Sequence, residues 1–234
     1  MDPGGRQAGR AGDLALPGLL AVGNPAKTAR ITVSAVSTLY AIVLYAIGIR
    51  LQDDARQILA YLPSALGILI VIFDSWAWKW PVIHNLAGRP RIDGTWIASV
   101  QPHPDSHSPA GGNRGPIQAA IMIDQRYWSI GITMLTGESA SYSTASFLRR
   151  PGDSRGRRIL SYTYANEPAQ EHRPRSQPHV GATQLHVSGQ QPTELTGMYW
   201  TDRFTAGDLD LRLLNRHTDY PTLKAVLDHN PAPV

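Results

Sequence analysis

The sequence contains no cysteine. That excludes a disulfide framework, a thiolate zinc site, a cysteine nucleophile and an iron–sulfur cluster. Lysine is nearly absent as well. Only Lys27, Lys79 and Lys224 occur, so 22 − 3 = 19 of the basic residues are arginine. Arginine is the better fork for phosphate, yet a net charge of +4 over 234 residues is too small to mark a binder of nucleic-acid polymers. Catalytic signatures are missing too: there is no HExxH, no Walker A loop and no GxGxxG. Gly137-Glu138-Ser139-Ala140-Ser141 begins like a nucleophile elbow but ends in serine. It also falls between predicted strands, where a hairpin turn is the plainer reading. His103 and His107 stand four apart in a proline-rich loop, with no helix to aim them at a metal. The chain is therefore expected not to be an enzyme, and to hold neither a metal nor a cofactor.

What is present is unevenly spread. A hydrophobic fraction of 42% suffices for a core, but much of it sits in two runs. Residues 1–29, rich in Gly, Ala, Pro and Arg, read as a disordered tail. Ile31 to Ile49 then runs 19 residues without a charge. At 1.5 Å per residue that nearly crosses a hydrocarbon core of about 30 Å. A short turn from Arg50 to Arg56 leads to a second apolar run, Ile58 to Phe73. Residues 30–83 are thus expected to form a two-helix transmembrane hairpin. Trp76, Trp78 and Trp80 beside Lys79 look like an interfacial belt. Arginine and lysine in the flanks place both termini in the cytoplasm. A cleaved signal peptide fits less well, because 30 residues precede the first run and no small-x-small site follows. Small residues such as Ser34, Ser37 and Ala41 allow close helix packing. Thr32, Thr38, Tyr40 and Tyr45 either line a lumen or simply tolerate lipid.

From His84 the pattern changes to period two, punctuated by Gly, Pro, Asn and Asp. Eight strands are predicted, near 92–100, 116–125, 127–135, 139–148, 157–165, 180–187, 193–202 and 207–214. A final short helix is expected over 220–228. Eight antiparallel strands without intervening helices point to a small closed barrel over residues 84–234, with a β-sandwich as the less favoured alternative. Such a barrel is filled by side chains or holds one small ligand.

Alternation then assigns the interior. Leu195, Gly197, Tyr199, Thr201 and Arg203 share one face, as do Leu160, Tyr162, Tyr164 and Asn166. Ile92, Gly94, Trp96 and Ala98 share another. Ser139, Ser141 and Ser143 run in phase with Ala145 and Phe147. Each of these faces pairs apolar with polar positions, so the lumen has a packed end and a polar mouth. Ser141, Ser143, Tyr162, Tyr164, Asn166, Tyr199, Thr201 and Arg203 are the candidate ligand-binding residues. Tyrosines stack on bases, Asn and Ser read base edges, and Arg pairs with phosphate. The same tyrosines serve equally as core residues with hydroxyls at the rim. A buried arginine, however, needs an anionic partner.

These residues, in this order, are where the chain resembles a known family. Asp93-Gly94-Thr95-Trp96 opens the β-domain. The alternating serines 139–145, Leu160-Ser161-Tyr162-Thr163-Tyr164-Ala165-Asn166-Glu167-Pro168, His179-Val180-Gly181 and Leu195-Thr196-Gly197-Met198-Tyr199-Trp200-Thr201-Asp202-Arg203 follow. With the preceding hairpin, they make residues 30–215 similar to the two-transmembrane β-barrel effectors of cyclic-oligonucleotide-based antiphage signalling (CBASS). That family is described as the SMODS-associated two-transmembrane, β-strand-rich effector domain. The resemblance implies a lipocalin-like barrel that binds a cyclic dinucleotide made by a partner nucleotidyltransferase. Binding would drive homo-oligomerisation, and the clustered hairpins would disrupt the lipid bilayer and kill the infected cell. The main alternative is a membrane-tethered barrel binding an apolar metabolite or lipid.

Overall fold

The computed structural model describes residues 38–40, 42, 53–106, 114–151, 157–174 and 176–229. The predicted tail and nearly all of the first apolar run lie outside the described residues. Helix α1 spans Asp53–Ser75. It starts earlier than the sequence suggests, so Asp53 to Arg56 belong to the helix and not to the turn. A 3-10 turn, Ala77–Lys79, leads into helix α2, Pro81–Ala87. Pro81 occupies its first turn, where no backbone donor is needed. Gly88 ends it in the left-handed region, φ 60°, its N–H bonded to the His84 carbonyl at 3.2 Å.

Among the described residues, no helix is long and apolar enough to cross a membrane. The uncharged stretch of α1, residues 57–73, rises about 26 Å against a hydrocarbon core of about 30 Å, and Pro63 lies within it.

The β-domain follows the predicted pattern closely. The strands are β1 Gly94–Pro102, β2 Ile117–Gln125, β3 Ile130–Leu135, β4 Ser139–Arg149, β5 Arg157–Pro168, β6 His179–Ser188, β7 Glu194–Thr201 and β8 Ala206–Asn215. Each pairs antiparallel with the next, and β1 closes on β8. Closure leaves no exposed edge. Helix α3, Leu223–His229, follows β8 and begins three residues later than expected. Strand β3 is shorter than predicted because 127–129 form the β2–β3 turn, with the Arg126 N–H bonded to the Ser129 carbonyl.

Alternation fills the barrel. Trp96, Ile121, Ile123, Leu160, Leu185, Leu195 and Leu209 are buried together at the centre. Burial of each such side chain is worth roughly 1.5–3 kcal/mol. Ile92 and Trp96 close the end nearest α1, where the Trp96 indole N–H donates to the Ile92 carbonyl at 3.0 Å. Gln125 is fully buried beside them. It accepts from the Ile92 N–H at 2.8 Å and donates to the Pro90 carbonyl at 2.9 Å. One buried amide thereby satisfies the backbone of the segment entering β1.

That segment is also held by charge. Asp93 is buried and meets Lys79 at 3.0 Å, Arg91 at 2.9 Å and Arg216 at 3.8 Å. Arg216 further donates to the Asp93 carbonyl at 2.6 Å. Gly94, at φ 127°, allows the sharp entry into β1, and a side chain there would collide with the Asn215 carbonyl.

One phase prediction is corrected. Between Ser143 and Ala145 the β4–β5 register shifts by a bulge. An extra residue inverts every later side chain. Phe147 is therefore exposed, while Ser146 and Leu148 turn toward the interior side.

Candidate ligand-binding cavity

The open end of the barrel lies opposite α1 and α2. Four connections surround it: β1–β2, β3–β4, β5–β6 and β7–β8. Below them is a cavity of about 460 Å³. That volume is within the usual range for small-molecule sites. Its apolar walls include Val100, Ile117, Met134 and Leu209, with Leu223 contributed by α3.

Of the candidate residues, Ser141, Tyr164, Asn166, Tyr199, Thr201 and Arg203 line this cavity together. Their strands deliver them as alternation requires, from β4, β5, β7 and the turn after β7. Tyr162 and Ser143 do not reach it. Tyr162 lies deeper, within the packed core, 6.1 Å ring to ring from Tyr164. Burial pushes its phenol up to about 12, a hydrogen bond to Thr183 opposing. Ser143 sits just before the bulge, where its hydroxyl accepts from the Ile132 N–H at 2.9 Å. It bridges β3 and β4 where their pairing has ended.

Asn166 is the most constrained polar group. It is 8% exposed, and its amide nitrogen donates to Ser139 Oγ and Ser141 Oγ, both at 2.9 Å. Its Oδ1 is buried without a partner. An unsatisfied buried acceptor costs on the order of 1–3 kcal/mol, which a ligand donor recovers. Arg203 presents the complementary vacancy. Its Nε is buried without a partner, and Nη1 reaches only Ser176 Oγ and the Gln177 carbonyl, each at 3.5 Å. Among the described residues, no carboxylate is in ion-pair contact with it. The cavity thus offers a cation and an acceptor, both awaiting partners.

The phenols around them stay neutral. Burial raises the pKa of Tyr164, and Tyr162 and Tyr199 add to the effect against the opposing charge of Arg203. Burial also raises Tyr199, reinforced by Asp208. His179, a lining residue not singled out as a site residue from sequence, is lowered by burial, and Arg203 pushes the same way. Ser139 and Thr183, which are not among the candidate residues, also line the cavity. Their signal was present, since Ser139 is in phase with Ser141 and Thr183 with Gly181. A Cβ at Gly181 would stand 2.5 Å from the Tyr164 hydroxyl, so the glycine lets that ring lie across β6.

The β7–β8 turn that carries Arg203 is strained. Phe204 adopts φ 60° and is 85% exposed. A bulky side chain in the left-handed region costs about 1–2 kcal/mol. Phe204→Gly is expected to raise stability by about 1 kcal/mol, read as a higher Tm; an unchanged or lower Tm contradicts this.

A closed barrel with a packed base and a polar-mouthed cavity is a receptor for a small ligand. Comparison with known proteins gives the class its family. Residues 88–213 match the family model "Cap15, cyclic dinucleotide receptor domain", and the chain belongs to that family. It is also similar to CD-NTase-associated protein 15 of Staphylococcus schleiferi, with 27% identity over 159 residues. That alignment covers 68% of this chain and 80% of the relative.

Proposed function

We propose that the chain is a non-enzymatic effector of CBASS antiphage defence, gated by a cyclic dinucleotide from a partner nucleotidyltransferase. One observation carries the reading: in a member of the Cap15 receptor family, the cavity holds an unpartnered guanidinium edge and an unpartnered acceptor. Arg203 takes a phosphodiester oxygen, and Asn166 Oδ1 takes a base N–H. Tyr164 and Tyr199 supply aromatic faces, while Ser141 and Thr201 supply hydroxyls. Ser143 and Tyr162 act from behind, holding β4 and the cavity floor. The lipid-binding alternative is weakened by these same polar groups, which an apolar ligand leaves unsatisfied.

The output is assigned to the membrane. Leu66, Ile68, Leu69 and Val71 on α1 are all exposed, on more than one face of the helix. Such a helix needs an apolar surrounding. We place it in the bacterial inner membrane, paired with the preceding apolar run, both termini cytoplasmic. Ligand-driven homo-oligomerisation then clusters the hairpins and breaches the bilayer.

Dye entry into cells tests this. Cells expressing the chain with an active partner nucleotidyltransferase should take up an impermeant dye. Cells with a catalytically dead partner should not. Equal uptake in both refutes gating by the nucleotide.

A further inference from the structure

The end of the barrel opposite the cavity carries features that the receptor function does not use. Trp76 and Trp80 are half exposed, their ring centroids 5.0 Å apart and the rings tilted by 60°. Val82 and Leu86, four residues apart on α2, are 83% and 90% exposed. Trp78 is the exception to the predicted belt. It is fully buried against Tyr127, with ring centroids 5.9 Å apart. The exposed apolar groups are therefore a patch on one side of a packed junction. Asp74 fixes that junction to the barrel. Its carbonyl accepts from the Tyr127 N–H, and its carboxylate from the Trp128 N–H, both at 3.0 Å.

Arginines gather at the same end of the barrel. Arg126 lies in the β2–β3 turn, Arg149 ends β4 with Arg150 next to it, and Arg158 is the second residue of β5. Arg89 follows α2, its guanidinium over the Tyr127 ring at 5.6 Å. Arg158 donates to the Gly88 carbonyl, which brings it beside Arg89. Arg89 Nε is buried without a partner. Burial lowers the pKa of Arg89, with Arg158 pushing the same way and Tyr127 and Asp74 opposing. Burial likewise lowers Arg158, and Arg150 adds to it. Like charges are thus crowded together, with Asp74 as the acidic neighbour of Arg89 among the described residues.

We propose that this end of the barrel is a docking surface for an anionic bilayer. Trp76, Trp80, Val82 and Leu86 enter the headgroup boundary, while Arg89, Arg150 and Arg158 take lipid phosphates. Charge complementarity selects the occupant, since cations beside exposed tryptophans match an anionic interface. The inference rests on the membrane placement proposed above and adds an orientation to it: the cavity faces away from the bilayer.

The absence of cysteine gives a clean test. The full chain carrying Leu86→Cys is labelled with an environment-sensitive dye and reconstituted into vesicles. The vesicles are phosphatidylcholine alone, or phosphatidylcholine mixed with phosphatidylglycerol. A Phe204→Cys label reports the opposite end. The Leu86 label should enter the bilayer, more so with phosphatidylglycerol, while the Phe204 label stays in water. Arg150→Gln, an exposed change that spares the fold, should lower the ratio of bilayer-inserted to water-exposed Leu86 label roughly fivefold. Arg150→Gln with Arg158→Gln should lower it further. A water-exposed Leu86 label on a chain that floats with the vesicles overturns the docking surface alone. A chain that does not float at all overturns the membrane placement with it. Displacement of the label by inorganic phosphate also overturns the proposal, because a free-phosphate site then explains the arginines. So does head-to-tail self-association without lipid that Arg150→Gln abolishes.

Discussion

Arg203→Ala is expected to weaken cyclic dinucleotide binding about ten- to a hundredfold. A hydrogen bond to a charged group contributes roughly 1.5–3 kcal/mol, and the Arg203 edge is free to give it in full. Its present contacts are long, at 3.5 Å, and Nε has none. The folded state should lose little, because among the described residues the side chain makes no ion pair that the change would break. Arg203→Lys should restore only part of the affinity, since a point charge does not reproduce a two-pronged contact. The check is a pair of titrations beside a pair of melting curves. An unchanged dissociation constant for Arg203→Ala would place the phosphate elsewhere.

Asp93→Ala is expected to be the most destabilising single change at the barrel entry, at about 3–5 kcal/mol. It leaves Lys79, Arg91 and Arg216 facing one another without their shared carboxylate. Burial alone would raise the Asp93 pKa. The Arg91 hydrogen bond and the Lys79 charge outweigh burial and hold it below the usual range. The unfolded chain then binds the proton more readily than the folded one. The contribution of Asp93 is therefore complete above about pH 4 and is lost as pH falls through the lower folded value. Denaturant melts of the wild type and Asp93→Ala should differ by this amount at pH 7 and converge in acid. A constant difference across that range contradicts the role assigned to the carboxylate.

Much of the barrel was legible because its strands keep a strict period of two. Leu160, Tyr162, Tyr164 and Asn166 all face the interior side, as do Leu195, Gly197, Tyr199 and Thr201. Period two fails where the backbone changes phase. The bulge between Ser143 and Ala145 leaves no mark in residue type, so alternation alone puts Phe147 on the wrong face. Alternation also gives the face of a residue and not its depth. Tyr162 and Tyr164 share a face, yet only the second reaches the cavity. Ring contacts among nearby aromatics are similarly hidden. Trp78 differs from Trp76 and Trp80 only through its contacts with Tyr127 and His84, which a linear pattern cannot supply. The unpartnered state of Arg203 Nε and Asn166 Oδ1 is a three-dimensional fact as well. The sequence shows the groups; the fold shows that nothing already satisfies them.

Calorimetric titration of the full chain with a panel of cyclic dinucleotides asks directly whether the cavity is built for such a ligand. The expected result is saturable, one-site binding for at least one of them, sharply reduced by Arg203→Ala and abolished by Ser141→Trp, which fills the cavity between Asn166 and Tyr164. No heat with any of them, from a chain whose melting curve shows it folded, would contradict the account.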